Sequence, residues 1–338
     1  MSENTLLQVR DLSTNFTVET GVVNAVEGVD LELTEGETLG LVGESGSGKS
    51  VTALSIMQLI DDPGEIATGD ILFKREDLAE KSENELLDIR GNEIAMVFQD
   101  PMTSLNPVFT VGKQIIRVIL KHQDVSKAEA RDQAIGLLDR VGIPEAQERI
   151  DSYPHEFSGG MRQRVLIAMA ISCDPDVLIA DEPTTALDVT IESQIFSLLE
   201  ELQTDFGMSL LLITHDLGVV ADACDRLAVM YSGRIEERGD VETVFSDQKH
   251  PYTRGMMRAI PRLGTDSDRL TPIEGSLPNP ENKPRGCYFH PRCPHATDIC
   301  RDHRPELREV TPDHQSACVY ADGYGPIDEG SLRGESDE

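Results

Sequence analysis

Residues Gly43-Glu44-Ser45-Gly46-Ser47-Gly48-Lys49-Ser50 match the pattern G-x-x-x-x-G-K-[ST]. Glycines at this spacing let the backbone curl until its N–H groups point inward at anionic oxygens. A helix starting just beyond them presents its N-terminus to the same anion. In such a loop the ammonium of Lys49 reaches the β- and γ-phosphates and the hydroxyl of Ser50 ligates Mg²⁺. Farther along, Asp181 and Glu182 end the apolar run Val177-Leu178-Ile179-Ala180. A carboxylate emerging at the C-terminal edge of a strand, next to a phosphate loop, can hold Mg²⁺ through water. The adjacent carboxylate can then act as a base or orient an attacking water. The apolar run and Pro183 argue against a merely solvated loop start.

Two further groups carry chemistry of their own. Ser158-Gly159-Gly160 precedes the apolar-rich stretch MRQRVLIAMAIS, so a serine cap, two glycines and a helix terminus form a second anion site. Cys287, Cys293, Cys300 and Cys318 follow the spacing C-x5-C-x6-C-x17-C among histidines and prolines. Four thiols in a short irregular region read as a metal site, with His290 and His295 as substitute ligands. The tight C-x2-C pairs usual for zinc are missing, and Cys293-Pro294 has the Cys-Pro step of iron–sulfur proteins. An iron–sulfur cluster, zinc and four free thiols are the three readings. The remaining cysteines, Cys173 and Cys224, lie in apolar surroundings and read as small core residues.

The elements that must position these groups follow from periodicity. Residues 6–42 read as strands and turns, with a turn near Gly21 and the half-buried alternation VDLEL. LGLV, the glycine-rich loop and VTALSIMQLI read as buried strand, loop and helix. IAMVF (94–98), DVLIAD (176–181) and LLLITHD (210–216) fit central parallel strands, whereas residues 112–142 are patterned as helices. Strands alternating with helices predict an α/β layered core with a helical insertion. Beyond residue 262 the chain turns rich in Pro, Gly and Asp, as in a linker. The final stretch is acidic and glycine-rich, which predicts disorder over residues 321–338. No internal repeat is present, so the chain carries one nucleotide-binding unit.

Bulk composition excludes several classes. The 338 residues hold 61 acidic against 30 basic side chains, a net charge of −31. A surface of this sign, without a basic stripe, repels nucleic acid. Only eight residues are Lys, and the acidic ones run along the whole chain, a pattern that fits adaptation to high salt. An unusually acidic mesophilic protein is the alternative. No apolar run approaches the roughly 18–20 residues that span a bilayer. MSENTLLQVRDL lacks a basic segment followed by an apolar one, so the chain is expected to stay on the cytoplasmic side, where disulfides are not expected.

Taken in order, these motifs resemble those of the ABC ATPases. Phe157-Ser158-Gly159-Gly160-Met161 is similar to the signature LSGGQ, with Met161 in place of Gln. Val177–Pro183 resembles the Walker B strand and Thr184–Asp188 the D-loop. Gln99, within MVFQDPMTSLNP, matches the Q-loop, and His215, within LLITHDL, the switch histidine. The resemblance covers roughly residues 5–260. It implies a P-loop NTPase core with a β-rich N-terminal subdomain, over residues 1–262, with a helical subdomain from about 102 to 175. It also implies that Gln99 serves the Mg²⁺ site with Ser50 and Asp181. His215, which taken by itself reads equally well as an ordinary core or surface histidine, becomes the group that meets the γ-phosphate and the attacking water. Phe16 lies at a distance before the loop suited to stacking on adenine, although Val23 across the turn could pack there too. Two phosphate-binding termini in one chain do not easily close on one ATP. The family's arrangement is a head-to-tail dimer in which Ser158, Gly159 and Gly160 of one subunit, with Asp188 nearby, complete the other subunit's site.

The branch that it resembles is the ATPase subunits of oligopeptide/dipeptide importers, the peptide/nickel group. GETLGLVGESGSGKS, FSGGMRQRVLIAMA, HPYTRGMMRAIPRL (250–263) and the turn before Pro278 carry this likeness. It implies a C-terminal extension over residues 263–320, in some members holding a [4Fe–4S] cluster at the four cysteines. The implied partners are two transmembrane permease subunits, a second identical or related ATPase and an external solute-binding protein, with this chain peripheral on the cytoplasmic face. Peptides, nickel or short oligosaccharides are the solutes of such systems. A soluble ABC ATPase acting on nucleic acid would need basic surface, and a regulatory, non-hydrolysing one would lack Glu182 or His215.

Overall fold

A computed structural model describes residues 4–185, 187–259 and 273–321. Two long antiparallel strands, β1 (Thr5–Val18) and β2 (Gly21–Thr34), open the chain, followed by β3 (Thr38–Val42) and α1 (Lys49–Ile56). Next come β4 (Gly64–Phe73), β5 (Glu76–Asp77), α2 (Glu83–Ile89) and β6 (Ile94–Val97). The following elements are helices: α3 (Pro101–Ser104), α4 (Val111–His122), α5 (Lys127–Arg140), α6 (Ala146–Arg149) and α7 (Gly159–Ala170). Strand β7 (Val177–Asp181), α8 (Val189–Phe206), β8 (Ser209–Thr214), α9 (Leu217–Ala223), β9 (Arg226–Tyr231) and β10 (Arg234–Asp240) complete the core. Helices α10 (Val241–Ser246) and α11 (Pro251–Arg258) lead to α12 (Asp298–Asp302), β11 (Arg308–Thr311) and β12 (His314–Ser316).

The main sheet runs β11-β12-β10-β9-β3-β8-β7-β6, and a smaller one runs β2-β1-β4-β5. Neighbours from β9 to β6 pair in parallel. Every residue of β3, β7 and β8 is buried, as expected for parallel strands covered on both faces. IAMV forms such a strand at the sheet's edge rather than its centre. Period-two alternation sorts the side chains. Leu178, Ala180, Leu210 and Leu212 face a core shared with Ile115, Ile119, Leu138 and Phe157 of the helical stretch. Val177, Ile179, Leu211 and Ile213 face α1 and the smaller sheet through Leu12, Val29, Ala53 and Ile56.

Caps set the helix starts. Thr110 caps α4, and Ser126 with Glu129 forms a capping box on α5. Between β6 and β7 the described residues contain helices and turns but no strand.

The C-terminal residues are integrated with this core. β12 pairs with β10 and so extends the main sheet. Tyr288 and Phe289 are buried with Val42, Val229, Tyr231 and Tyr252 in one aromatic-rich cluster. Ala317, Val319, Cys300 and Cys318 of the same segment are buried as well. Residues 260–272, where the linker is expected, and 322–338, where the acidic tail is expected, lie outside the described residues. No described helix is long and apolar enough to cross a membrane.

Candidate functional site

Four neighbouring parallel strands deliver the candidate residues to one edge. β3 runs directly into the loop Gly43–Gly48 and α1, β6 ends two residues before Gln99, β7 ends at Asp181, and β8 ends one residue before His215. In a parallel sheet the C-terminal ends of strands all open onto the same edge, where α/β folds bind ligands.

The loop is held in shape by close approach. A Cβ on Gly43 would stand 2.2 Å from the Met230 carbonyl oxygen and 2.7 Å from Ser47 Oγ, so no side chain fits. Gly48 adopts φ +111°, which L side chains rarely adopt, immediately before α1. Lys49 is buried and spans the loop, its Nζ donating to Gly43 O at 2.8 Å and Glu44 O at 3.1 Å. Burial lowers its pKa, against the opposing pull of Glu182 and Asp181. Ser50 Oγ donates to Asp181 Oδ1 at 3.1 Å. Burial pushes the Asp181 carboxyl up, so a cation bound beside it would favour its ionised form.

Glu182 is the hub. Its backbone has φ +43°, and its N–H donates to Ile213 O at 2.9 Å, which ties β7 to β8. Its carboxylate lies 3.8 Å from Lys49 Nζ and 3.6 Å from His215 Nδ1. Gln99 Nε2 donates to it at 2.8 Å and Thr185 Oγ1 at 3.1 Å. The His215 ring, followed by Lys49 and Thr185, brings the Glu182 pKa down to about 2 against the effect of burial. Glu182 in turn raises the pKa of His215. This carboxylate occupies the centre of a cationic and donor-lined pocket that suits a phosphate.

The other expected site residues lie apart from this hub. Ser158 caps α7, accepting from Met161 N at 3.3 Å, and is exposed. Gly159 and Gly160 lie against Leu187 and Ile191. Among the described residues no hydrogen bond joins this terminus to the loop 43–50. Asp188 is exposed at the start of α8. Phe16 is half-buried in the smaller sheet, paired with Val23 and Gly64.

Sequence reading missed the side chains that hold the outer part of the phosphate loop. Tyr252 OH accepts from Glu44 N at 2.9 Å, and Arg292 grips the Glu44 carboxylate. Nothing in their spacing signals a contact across more than 200 residues.

The four cysteines gather in one place. Cys287 N donates to Cys300 O at 2.9 Å. The Cys287 thiol feels those of Cys318 and Cys300, and the Cys318 thiol those of Cys293 and Cys300. Burial pushes Cys318 up to about 12 and raises Cys287 and Cys293. No disulfide joins them. Among the described residues no three His, Cys, Asp or Glu side chains form a group able to hold a metal ion. Cys173 is buried, and Cys224 packs against the core with its thiol pushed up to about 12 by burial.

Residues 26–185 match the family described as "ABC transporter", and residues 237–300 the one described as "Oligopeptide/dipeptide transporter, C-terminal region". The chain is 51% identical over 90% of its length to the oligopeptide transport ATP-binding protein AppD of Bacillus subtilis, covering 93% of that protein. It is 50% identical over 93% of its length to the dipeptide transport ATP-binding protein DppD of Escherichia coli, covering 96% of it. Among solved structures, the dimeric ATP-binding cassette MJ0796 in a post-hydrolysis state with ADP and Pi aligns at TM-score 0.64 and 26% identity. That alignment covers 70% of this chain and 99% of the other.

Mutual pairing accounts for the raised His215 pKa. The stabilisation of the charged pair is present while Glu182 is ionised, above about pH 2, and is lost as pH rises through the raised His215 pKa. Glu182→Gln should therefore lower the His215 pKa, as read by NMR titration of the nucleotide-free chain. A His215 titration that does not move assigns the shift to another neighbour.

Proposed function

We propose a function from the family to which the chain belongs, the ATP-binding subunits of oligopeptide/dipeptide ABC transporters. The chain binds and hydrolyses ATP, and that hydrolysis powers uptake of dipeptides, oligopeptides or related small solutes. The observation that carries the reading is the convergence of Lys49, Gln99, Thr185 and His215 on Glu182, beside the Ser50–Asp181 pair.

The chemistry follows from that convergence. The γ-phosphate enters between Lys49 and His215 and replaces Glu182 as their anionic partner. Glu182, freed from them, orients a water for in-line attack and accepts its proton as the new P–O bond forms and the bond from the γ-phosphorus to the β–γ bridging oxygen breaks, releasing ADP and phosphate. Ser50, Asp181 and Gln99 would hold a Mg²⁺, which would supply positive charge to the β- and γ-phosphate oxygens. A buried carboxylate bonded to the loop hydroxyl fits that ion. Phe16 offers a face to the adenine.

Ser158, Gly159 and Gly160 cap an exposed helix terminus that can serve a nucleotide held by another subunit, with Asp188 close by. This supports a head-to-tail pairing with a second, identical or related ATPase. Two permease subunits dock beside Gln99, where Phe98, Val108 and Phe109 leave apolar surface in solvent. An external binding protein supplies the solute, and the chain works at the cytoplasmic face of the membrane.

Replacing Glu182 by Gln should preserve ATP binding and cut turnover by about 10²–10⁴-fold. Lys49→Ala should instead lose most of the binding. Equilibrium nucleotide binding and steady-state phosphate release, measured with the partner subunits present, decide the matter. Near-parental turnover in the Gln variant removes Glu182 from the catalytic role.

At the four cysteines a [4Fe–4S] cluster is the better candidate. Cys287, Cys293, Cys300 and Cys318 would be its thiolate ligands, and zinc at the same thiolates is the alternative. The cluster would be structural, bonding segments far apart in sequence. Anaerobically purified protein should contain iron and sulfide and absorb in the visible range. Metal-free protein whose C-terminal region is ordered overturns this.

The acidic surface is read as an adaptation to high salt. A net charge of −31 repels itself less as screening grows, the Debye length falling from about 10 Å at 0.1 M to about 3 Å at 1 M salt. The melting temperature should therefore rise between dilute and molar salt. A flat or falling profile refutes the adaptation.

A further inference from the structure

The phosphate loop carries a negative charge of its own at Glu44, and the residue that answers it comes from the C-terminal extension. Arg292 Nη1 donates to Glu44 Oε2 at 2.7 Å, and Nη2 donates to Oε1 at 2.9 Å. This is a bidentate fork, the strong form of the ion pair. The Arg292 side chain is only 6% exposed and that of Glu44 31%. The guanidinium is fixed on its other sides. Nε donates to Glu274 O at 3.0 Å, Nη2 to Ile273 O at 3.4 Å and Nη1 to Tyr231 OH at 3.3 Å. It also stacks near the Tyr231 and Phe289 rings. Tyr252 holds the Glu44 N–H, and Leu277 approaches the position of a Cβ on Gly46 to 3.8 Å. The outer turn of the loop is therefore shaped by the extension.

A free carboxylate at this place would act against the triphosphate that the loop must accept. Like charges in a partly desolvated site cost far more than they do in bulk water. Packing alone does not require an arginine fork at Glu44. The fork both cancels the charge and turns the carboxylate away toward the extension.

We propose that Arg292 is a positioning residue for ATP binding, which neutralises and orients Glu44 so that the phosphate loop can accept the nucleotide phosphates. The proposal rests on the reading of Gly43–Ser50 as the nucleotide loop. It makes the extension a working part of the nucleotide site.

The test is a double-mutant cycle on the purified full-length chain, with ATP affinity read by equilibrium binding of a fluorescent ATP analogue and competition by ATP. R292A should weaken ATP binding about tenfold, and the loss should shrink as salt rises. In the E44Q background the same arginine substitution should cost about twofold or less, because no charge is left to answer. R292K keeps the charge without the fork and should fall between parent and R292A. Where R292A does not fold, R292K carries the comparison, and its loss should likewise vanish with E44Q. Equal losses in the parental and E44Q backgrounds assign Arg292 to packing on Tyr231 and Phe289 and overturn the proposal. Unchanged affinity in R292A overturns it too. A parental chain that does not bind ATP overturns the nucleotide-loop reading itself.

Discussion

The site depends on one carboxylate held among cations before any substrate arrives. Glu182 lies within reach of Lys49, His215, Gln99 and Thr185. Lys49, His215 and Gln99 each leave a different segment of chain, so the contact exists only because β3, β8, β7 and β6 stand side by side in parallel. An antiparallel arrangement would send two of the four strand ends to the opposite edge. The buried character of β3, β7 and β8 is therefore a requirement of the chemistry as well as of stability. Covering both faces of the sheet fixes register, and register fixes which side chains meet at the edge.

The same carboxylate explains how the loop lysine avoids an energetic penalty. Lys49 is buried, and a buried ammonium without a partner is costly. Glu182 supplies the charge, and the loop carbonyls of Gly43 and Glu44 take up the hydrogen bonds. Nucleotide phosphates therefore compete with an internal anion, and binding exchanges one ion pair for another. On the proposed reading this exchange would link occupancy to catalysis, because the group displaced by the γ-phosphate is the one proposed to activate water. With its pKa brought down to about 2 while His215 and Lys49 face it, Glu182 would be a poor base before the nucleotide enters.

Much of this was legible in the sequence, and the reason is local. A phosphate loop is a short contiguous device whose glycines, lysine and serine must stand at fixed offsets, so Gly43–Ser50 could be read directly. Apolar runs ending in Asp181 and His215 announce buried strands with polar ends. The likeness to ABC ATPases then supplied the role proposed for Gln99, which its own surroundings in sequence do not. What could not be read is long-range pairing. Arg292 and Glu44 are far apart in sequence, and neither stands in a periodic pattern that names its partner. The edge position of β6 was hidden for a similar reason, since a four-residue apolar run looks alike at the rim and at the centre of a covered sheet. The weight of the extension was hidden because its apolar residues stand singly among prolines, glycines and charges, and Tyr288 and Phe289 gain theirs by sharing a core with Tyr231 and Tyr252.

The two ends of the phosphate loop are restrained by different physics. Its inner end is fixed by sterics, because Gly43 and Gly48 sit where the Met230 and Ala25 carbonyl oxygens leave no room for a Cβ. Such a restraint is stiff and insensitive to charge. The outer end at Glu44 is fixed by polar contacts from Tyr252 and Arg292, which respond to charge. The contacts at the responsive end come from the helix after the core and from the extension, the same part of the chain that gathers the four cysteines. On the proposed role of Arg292, whatever tightens or loosens that part would act on the nucleotide through Glu44 rather than through Glu182.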